Sequence, residues 1–119
     1  MNQRGSAVVE FALVTPLILL LVLGVVEVAV VARTQLELIN AAREGAREAA
    51  ASPDPSAAVA AARSSLGSSG ARARIRVRRP HVVGQRAEVS ITLPHRVAGA
   101  LFGGFDLELS ARASMRVER

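Results

Sequence analysis

Residues 5–32 read GSAVVEFALVTPLILLLVLGVVEVAVVA, one apolar stretch whose only charges are the carboxylates of Glu10 and Glu27. At a helical rise of ~1.5 Å per residue, a hydrocarbon layer ~30 Å thick needs about 20 residues. A helix starting at Ala7 therefore crosses by about Val26, with Glu10 and Glu27 near the two interfaces. A cleaved secretory signal has an apolar region of ~7–15 residues and then a small-residue cut site. This run is longer, and it continues through Glu27 into a helical pattern without a turn, so it is expected to stay as an anchor. Arg4 lies on the short side, which agrees with a cytoplasmic N-terminus, and the long arginine-rich part would be extracytoplasmic.

The remainder of the 119 residues is near the lower size limit for a self-sufficient core, and without cysteine no disulfide or thiolate site can staple it. All fifteen basic side chains are arginine, giving a net charge of +5. Nucleic acid is not expected as a partner, because Trp and Tyr are absent and the three Phe residues do not alternate with arginine.

Beyond the apolar run, RTQLELINAAREGAREAA (33–50) repeats Leu38, Ala42, Gly45 and Ala49 at helical spacing, with arginines and glutamates on the other faces. One helix is thus expected over 7–51, with Pro16 as the one candidate bend and Ser52–Pro53 as its end. The small residues on its apolar side suit close packing. Asp54 and Pro55 then read as cap and first turn of a short helix through SAAVAAARSSL, stopped by Gly67, with a flexible turn at 68–70.

The period next changes from helical to two. Ala73, Ile75 and Val77 alternate with Arg74, Arg76 and Arg78 in a first strand; Ala87, Val89, Ile91 and Leu93 mark a second, ended by Pro94; and Leu107, Leu109, Ala111, Ala113, Met115 and Val117 mark a third. The link HRVAGALFGGF (95–105) reads as helical or looped, with Gly103 and Gly104 in a turn. The fold class is therefore α+β: a long N-terminal helix with a transmembrane inner half, a short second helix, and a three-stranded antiparallel sheet packed on the long helix. Ile75, Val77, Val89, Ile91, Leu109 and Met115 are expected to face the helix, and Arg74, Arg76 and Arg78 solvent or an acidic partner.

Chemistry-bearing residues are sparse. His81 and His95 read as loop residues beside strand ends, without metal-ligand spacing to any acid. There is no phosphate-cradling loop, and no serine has a nucleophile context, so no enzyme, metal, cofactor or small-molecule substrate is expected. Glu10 has a plain reading, a carboxylate favoured in the first turn of a helix and within reach of water.

The company Glu10 keeps allows another. Gly5, Ser6, Ala7, Val8, Val9, Glu10 and Phe11 form a glycine, four small or apolar residues, a glutamate and an aromatic, just before the apolar run. This resembles the processing site of type IV pilins and pseudopilins. RGSAVVEFALVTPLILLLVLGVVE (4–27) followed by LINAAREGAREAA (38–50), with LFGGFDLELSARASMRVE (101–118) as a closing strand, is similar to the TadE-like minor pilins of the tight adherence (Flp) system. The resemblance implies cleavage by a membrane-embedded prepilin peptidase after Gly5, leaving Ser6 as the new N-terminus. Glu10 and Phe11 then belong to the processing and docking motif, with Glu10 pairing to the terminal amine of a neighbouring subunit. It divides the chain into a leader (1–5), a transmembrane part (6–32), an extramembrane helix (33–52) and a small extracytoplasmic domain (53–119). Its implied partners are the membrane, other pilins or pseudopilins and the pilus assembly machinery, in a low-copy role rather than as the fibre-forming subunit. The alternative is an unprocessed single-pass anchor with a structural role in an envelope complex; the two differ at the Gly5–Ser6 bond.

Overall fold

A computed structural model describes residues 3–97 and 103–118. Helix α1 runs unbroken over Gln3–Ala51, followed by α2 (Pro55–Ser65), a 3-10 helix (Gly67–Ala71), and strands β1 (Arg74–Arg78), β2 (Arg86–Val97) and β3 (Phe105–Arg116). The chain divides into two compact units, Met1–Val31 and Ala32–Arg119, and α1 contributes to both.

In the first unit the apolar side chains are exposed all round the helix, from Val8 to Val30. Leucine and valine carry the helix past Pro16. Pro16 has no N–H for the Ala12 carbonyl, and the Thr15 hydroxyl donates to the Phe11 carbonyl at 2.6 Å, so that side chain is satisfied within its own turn. The helix begins at Gln3, earlier than the expected Ala7, and takes in part of the expected leader.

In the second unit α1 buries one stripe only: Leu38, Ala41, Ala42, Gly45, Ala46, Ala49 and Ala50. All but Leu38 are alanine or glycine, so neighbours can come close. A Cβ built on Gly45 would lie 3.0 Å from the Ala62 Cβ of α2, 3.2 Å from Val89 Cγ1 of β2 and 3.3 Å from the Ala58 carbonyl oxygen. Gly45 is where α1, α2 and the sheet meet.

Helix α2 starts where Asp54 caps it. One carboxylate oxygen accepts from the Ser56 amide at 2.9 Å and the other from the Ser56 hydroxyl at 2.7 Å. The hydroxyl bond first, and the amide bond second, hold the Asp54 carboxyl below the usual aspartate range. Gly67, at φ 58°, follows the C-cap Leu66. The expected flexible turn at 68–70 is instead a 3-10 helix. Gly70 allows it: a Cβ there would lie 2.5 Å from the Arg63 carbonyl oxygen, so only glycine fits against the end of α2.

The sheet is antiparallel in the order β1-β2-β3. Its central strand holds the core, with Ala87, Val89, Ile91 and Leu93 at most 2% exposed. Three of the six residues expected to face the helix, Val89, Ile91 and Leu109, are buried. Ile75 and Val77 lie on edge strand β1 and are half-buried. Met115, opposite Ala87 on the other edge strand, is 39% exposed, and Val117 takes the buried position in its place. Val117 is fixed by its amide donating to Gln85 O at 2.7 Å and its carbonyl accepting from Gly84 N at 3.0 Å.

Pro94 does not end β2, which continues to Val97 and pairs Pro94 with Glu108, His95 with Leu107 and Val97 with Phe105. Strand β1 stops opposite Thr92, so at Pro94 one flank of β2 is an edge, where a missing N–H costs no ladder bond. His95 accordingly lies in a strand and not a loop. The reading of 95–105 as a helical or looped link fails over His95–Val97, and 98–102 lie outside the described residues; Gly103 and Gly104 have φ of 77° and 65° and precede β3.

Three ties join α1 to the sheet region. Gln35 Nε2 donates to Ser110 O at 2.8 Å, Arg79 Nε to Ala49 O at 2.7 Å, and the Glu118 amide to Ala50 O at 3.1 Å. The last turn of α1 has no basic residue of its own, so Arg79 and Glu118 satisfy carbonyls that a helix end leaves open.

These contacts give three expectations for the purified chain followed by circular dichroism in urea or on heating. Ile91→Asp buries an unpaired charge and should cost on the order of 3 kcal/mol or more. Ser90→Asp, between Arg76 and Arg112 on the open face, should stay within about 0.5 kcal/mol; equal losses would refute the register. At Gly45, Leu should cost about 1–3 kcal/mol by overpacking, whereas Ala regains about 1 kcal/mol of helix propensity against its tight contacts and should rank well above Leu. Asp54→Ala should lower the melting temperature at neutral pH. Because the folded carboxyl titrates below its unfolded value, that difference should be full above the usual aspartate range and vanish as pH falls through the folded value.

Candidate processing and docking site

The residues singled out from the sequence share the first turns of α1. Gly5, Ser6, Glu10 and Phe11 are all exposed. Ser6 and Glu10, four apart, stand on one face, and the Ser6 hydroxyl donates to Glu10 Oε1 at 3.4 Å. Glu10 is thus the single charge on the helix between Arg4 and Glu27, held by a weak bond to the residue that would become the N-terminus if the chain were cut after Gly5.

The Gly5–Ser6 bond itself lies within the first turn of α1. The opening N–H groups of a helix have no intrahelical partner, and glycine is about 1 kcal/mol less favourable there than alanine, so this turn is among the cheapest in the helix to unwind. Such a bond becomes accessible to a peptidase once the first turn frays.

Downstream, the first unit offers surface and no chemistry. Phe11, Leu13, Leu17, Leu19, Leu21 and Val25 are exposed around it, and α1 is long and apolar enough to cross a membrane. A helix apolar on every side is stable in a lipid layer or in the core of a larger assembly, and not in water.

The sheet of the second unit carries shallow concavities. On the open face of the sheet Arg74, Arg76, Ser90, Thr92, Glu108 and Arg112 line a shallow hollow of about 290 Å³. Arg112 reaches Glu88 at 3.3 Å, and the exposed Arg74, Arg76 and Arg78 form an outward row on β1, as their alternation with Ile75 and Val77 implies. On α1 the Glu44–Arg47 pair at 2.7 Å is a solvated surface pair, and Glu44 raises the Arg47 guanidinium above its ordinary value, first through that hydrogen bond. His81 is exposed in the turn after β1, and among the described residues no three His, Asp or Glu side chains gather as a metal ion would require.

Sequence reading missed the ties from Gln35 and Arg79 to the backbone, which have no local pattern to betray them. Their partners are 75 and 30 residues away.

Residues 5–47 match the family described as TadE-like protein. The match begins at Gly5, covers the whole apolar run and ends in the buried stripe of α1, and it supports a TadE-like assignment for the chain. No curated protein and no solved structure matches it.

Proposed function

We propose that this chain is a minor pilin or pseudopilin of a tight adherence (Flp) pilus system. It is anchored in the cytoplasmic membrane by residues 7–32 with its C-terminal domain outside, and is cut between Gly5 and Ser6 by a prepilin peptidase. The observation that carries this reading is the motif GSAVVEF at the head of a helix that is apolar and exposed on every side, within the segment that matches TadE-like proteins.

The work is structural and not catalytic. Gly5 supplies a small residue on the non-prime side of the cut and a turn that unwinds at little cost. Cleavage releases the Ser6 amine as a positive charge at the end of an apolar helix. Glu10 carries the complementary negative charge about one turn away. Each charge is costly alone in a low dielectric, and the two attract strongly when a neighbouring subunit brings its amine to this Glu10. The same pair draws a new subunit into register, because a slip by one turn would leave both charges unmatched among leucines and valines. Other pilins and the assembly machinery are the partners this implies.

The placement of the Gly5–Ser6 bond inside α1, rather than in an extended segment, favours a second reading: an unprocessed single-pass anchor with an assembly role in an envelope complex.

The two separate on co-expression with the cognate peptidase, followed by intact mass and by recovery of other pilins. In wild type, Met1–Gly5 should be lost. Gly5→Val should remain full length, while Glu10→Ala should be cut as efficiently as wild type yet recover fewer partner subunits. Retention of Met1–Gly5 by wild type beside an active peptidase would overturn processing and leave the anchor reading.

A further inference from the structure

The second unit has two distinguishable ends. Helix α1 enters it at Ala32, and the bond from Gln35 to Ser110 O holds its first turns beside the middle of β3. At the other end, Ala50 accepts from the Glu118 amide, and Val117 accepts from Gly84 in the turn that carries Val82 and Val83. From Ser110 back to Phe105 the strand therefore leads away from that turn, for about 17 Å at the usual rise.

Burial runs out along this stretch. On the inner row of β3, Leu109 is 8% exposed, Leu107 38% and Phe105 65%. Strand β1 stops opposite Thr92, so the ribbon of β2 and β3 projects without a third strand. Leu36, on the second turn of α1 after Ala32, is 62% exposed at the same end. Among the described residues, three large apolar side chains from two elements are thus exposed where the helix enters.

We infer that this end of the unit, through Leu36, Leu107 and Phe105, rests on the lipid surface of the membrane in which residues 7–32 are anchored; the inference depends on that anchoring. Covalent connection supports it: Leu36 lies only five residues of chain past Val31, the last residue of the apolar unit. Leucine and phenylalanine at the boundary between headgroups and acyl chains gain from leaving water. Charge does not compete with this. Arg33 pairs with Glu37 at 3.2 Å, and Arg96 and Asp106 occupy opposed register positions on β2 and β3, so each arginine has an acid in its neighbourhood. The contact is apolar and needs no anionic lipid. It holds the small domain down on the bilayer and must break when the subunit is drawn out of the membrane.

The absence of tryptophan and tyrosine allows a direct test on the full chain in phosphatidylcholine vesicles with acyl chains brominated to quench indole emission. Single tryptophans are placed by Leu21→Trp in the apolar run, Phe105→Trp in the proposed contact and Val83→Trp at the far end, each first shown to keep the wild-type unfolding midpoint. Emission should be quenched strongly for Leu21→Trp, clearly quenched and blue-shifted for Phe105→Trp, and unquenched for Val83→Trp. Quenching of Leu21→Trp with none for Phe105→Trp would overturn the contact and leave the anchor intact. Equal quenching of Val83→Trp and Phe105→Trp would also overturn it, since the unit would then have no preferred end. No quenching of Leu21→Trp would remove the anchor itself, and the contact with it.

Discussion

The second unit depends on how closely α1 can approach its neighbours. A sheet of three strands has little apolar area, and a chain of this size without disulfides cannot add more by growing. What remains is to leave no gap. Alanine and glycine along the buried stripe of α1 let the backbone, rather than long side chains, come against Ala58 and Ala62 of α2 and Val89 of β2. The larger fully covered side chains are then Val89, Ile91 and Leu93 of the central strand, with Leu38 of α1 and Val117. Gly45 matters because the gap there is smaller than a methyl group; its poor helix propensity is the cost of the crossing.

The same constraint explains the partition of α1. Through the first unit its composition is leucine and valine on all faces, which suits a surrounding solvent of lipid. From Arg33 onward arginine and glutamate gather on one side and mostly small residues on the other, which suits water on one side and a tightly packed protein layer on the other. No turn is needed between them, since helical hydrogen bonds are indifferent to what surrounds them. One unbroken helix therefore suits two different surroundings, and the change of composition marks where one gives way to the other.

Patterns with a short period were legible in the sequence. The apolar run, the spacing of Leu38, Ala42, Gly45 and Ala49, the Asp54–Pro55 start, the stop at Gly67 and the alternation in all three strands each need only a few neighbouring residues, and each appears in the structure. Features decided by distant partners were not legible. Proline at 94 reads as a strand end unless it is known that β1 stops opposite Thr92 and leaves that flank open. Met115 reads as core by its alternation, but it lies on an edge strand beyond the cover that Val117 receives. The 3-10 helix at Gly67–Ala71 depends on the fit of Gly70 against the Arg63 carbonyl, which serine and glycine composition alone makes look like a loose turn. For the candidate site the sequence carried the motif, and the structure added that Ser6 and Glu10 share a face and that the Gly5–Ser6 bond is helical.

Stability and the proposed activity are placed in different residues. Gly5, Ser6, Glu10 and Phe11 are exposed, whereas Ile91, Val89, Leu38 and the alanine stripe are buried. Changes in the motif therefore need not unfold the domain, and changes in the core need not alter the proposed cut. For the proposed function, in which the subunit is processed, anchored and then moved, this separation is physically useful. Under that proposal the first turns of α1, exposed in the structure, are free to unwind for cutting and to carry the docking charge. The small domain can stay closed around Gly45 throughout, because no step in that sequence requires it to open.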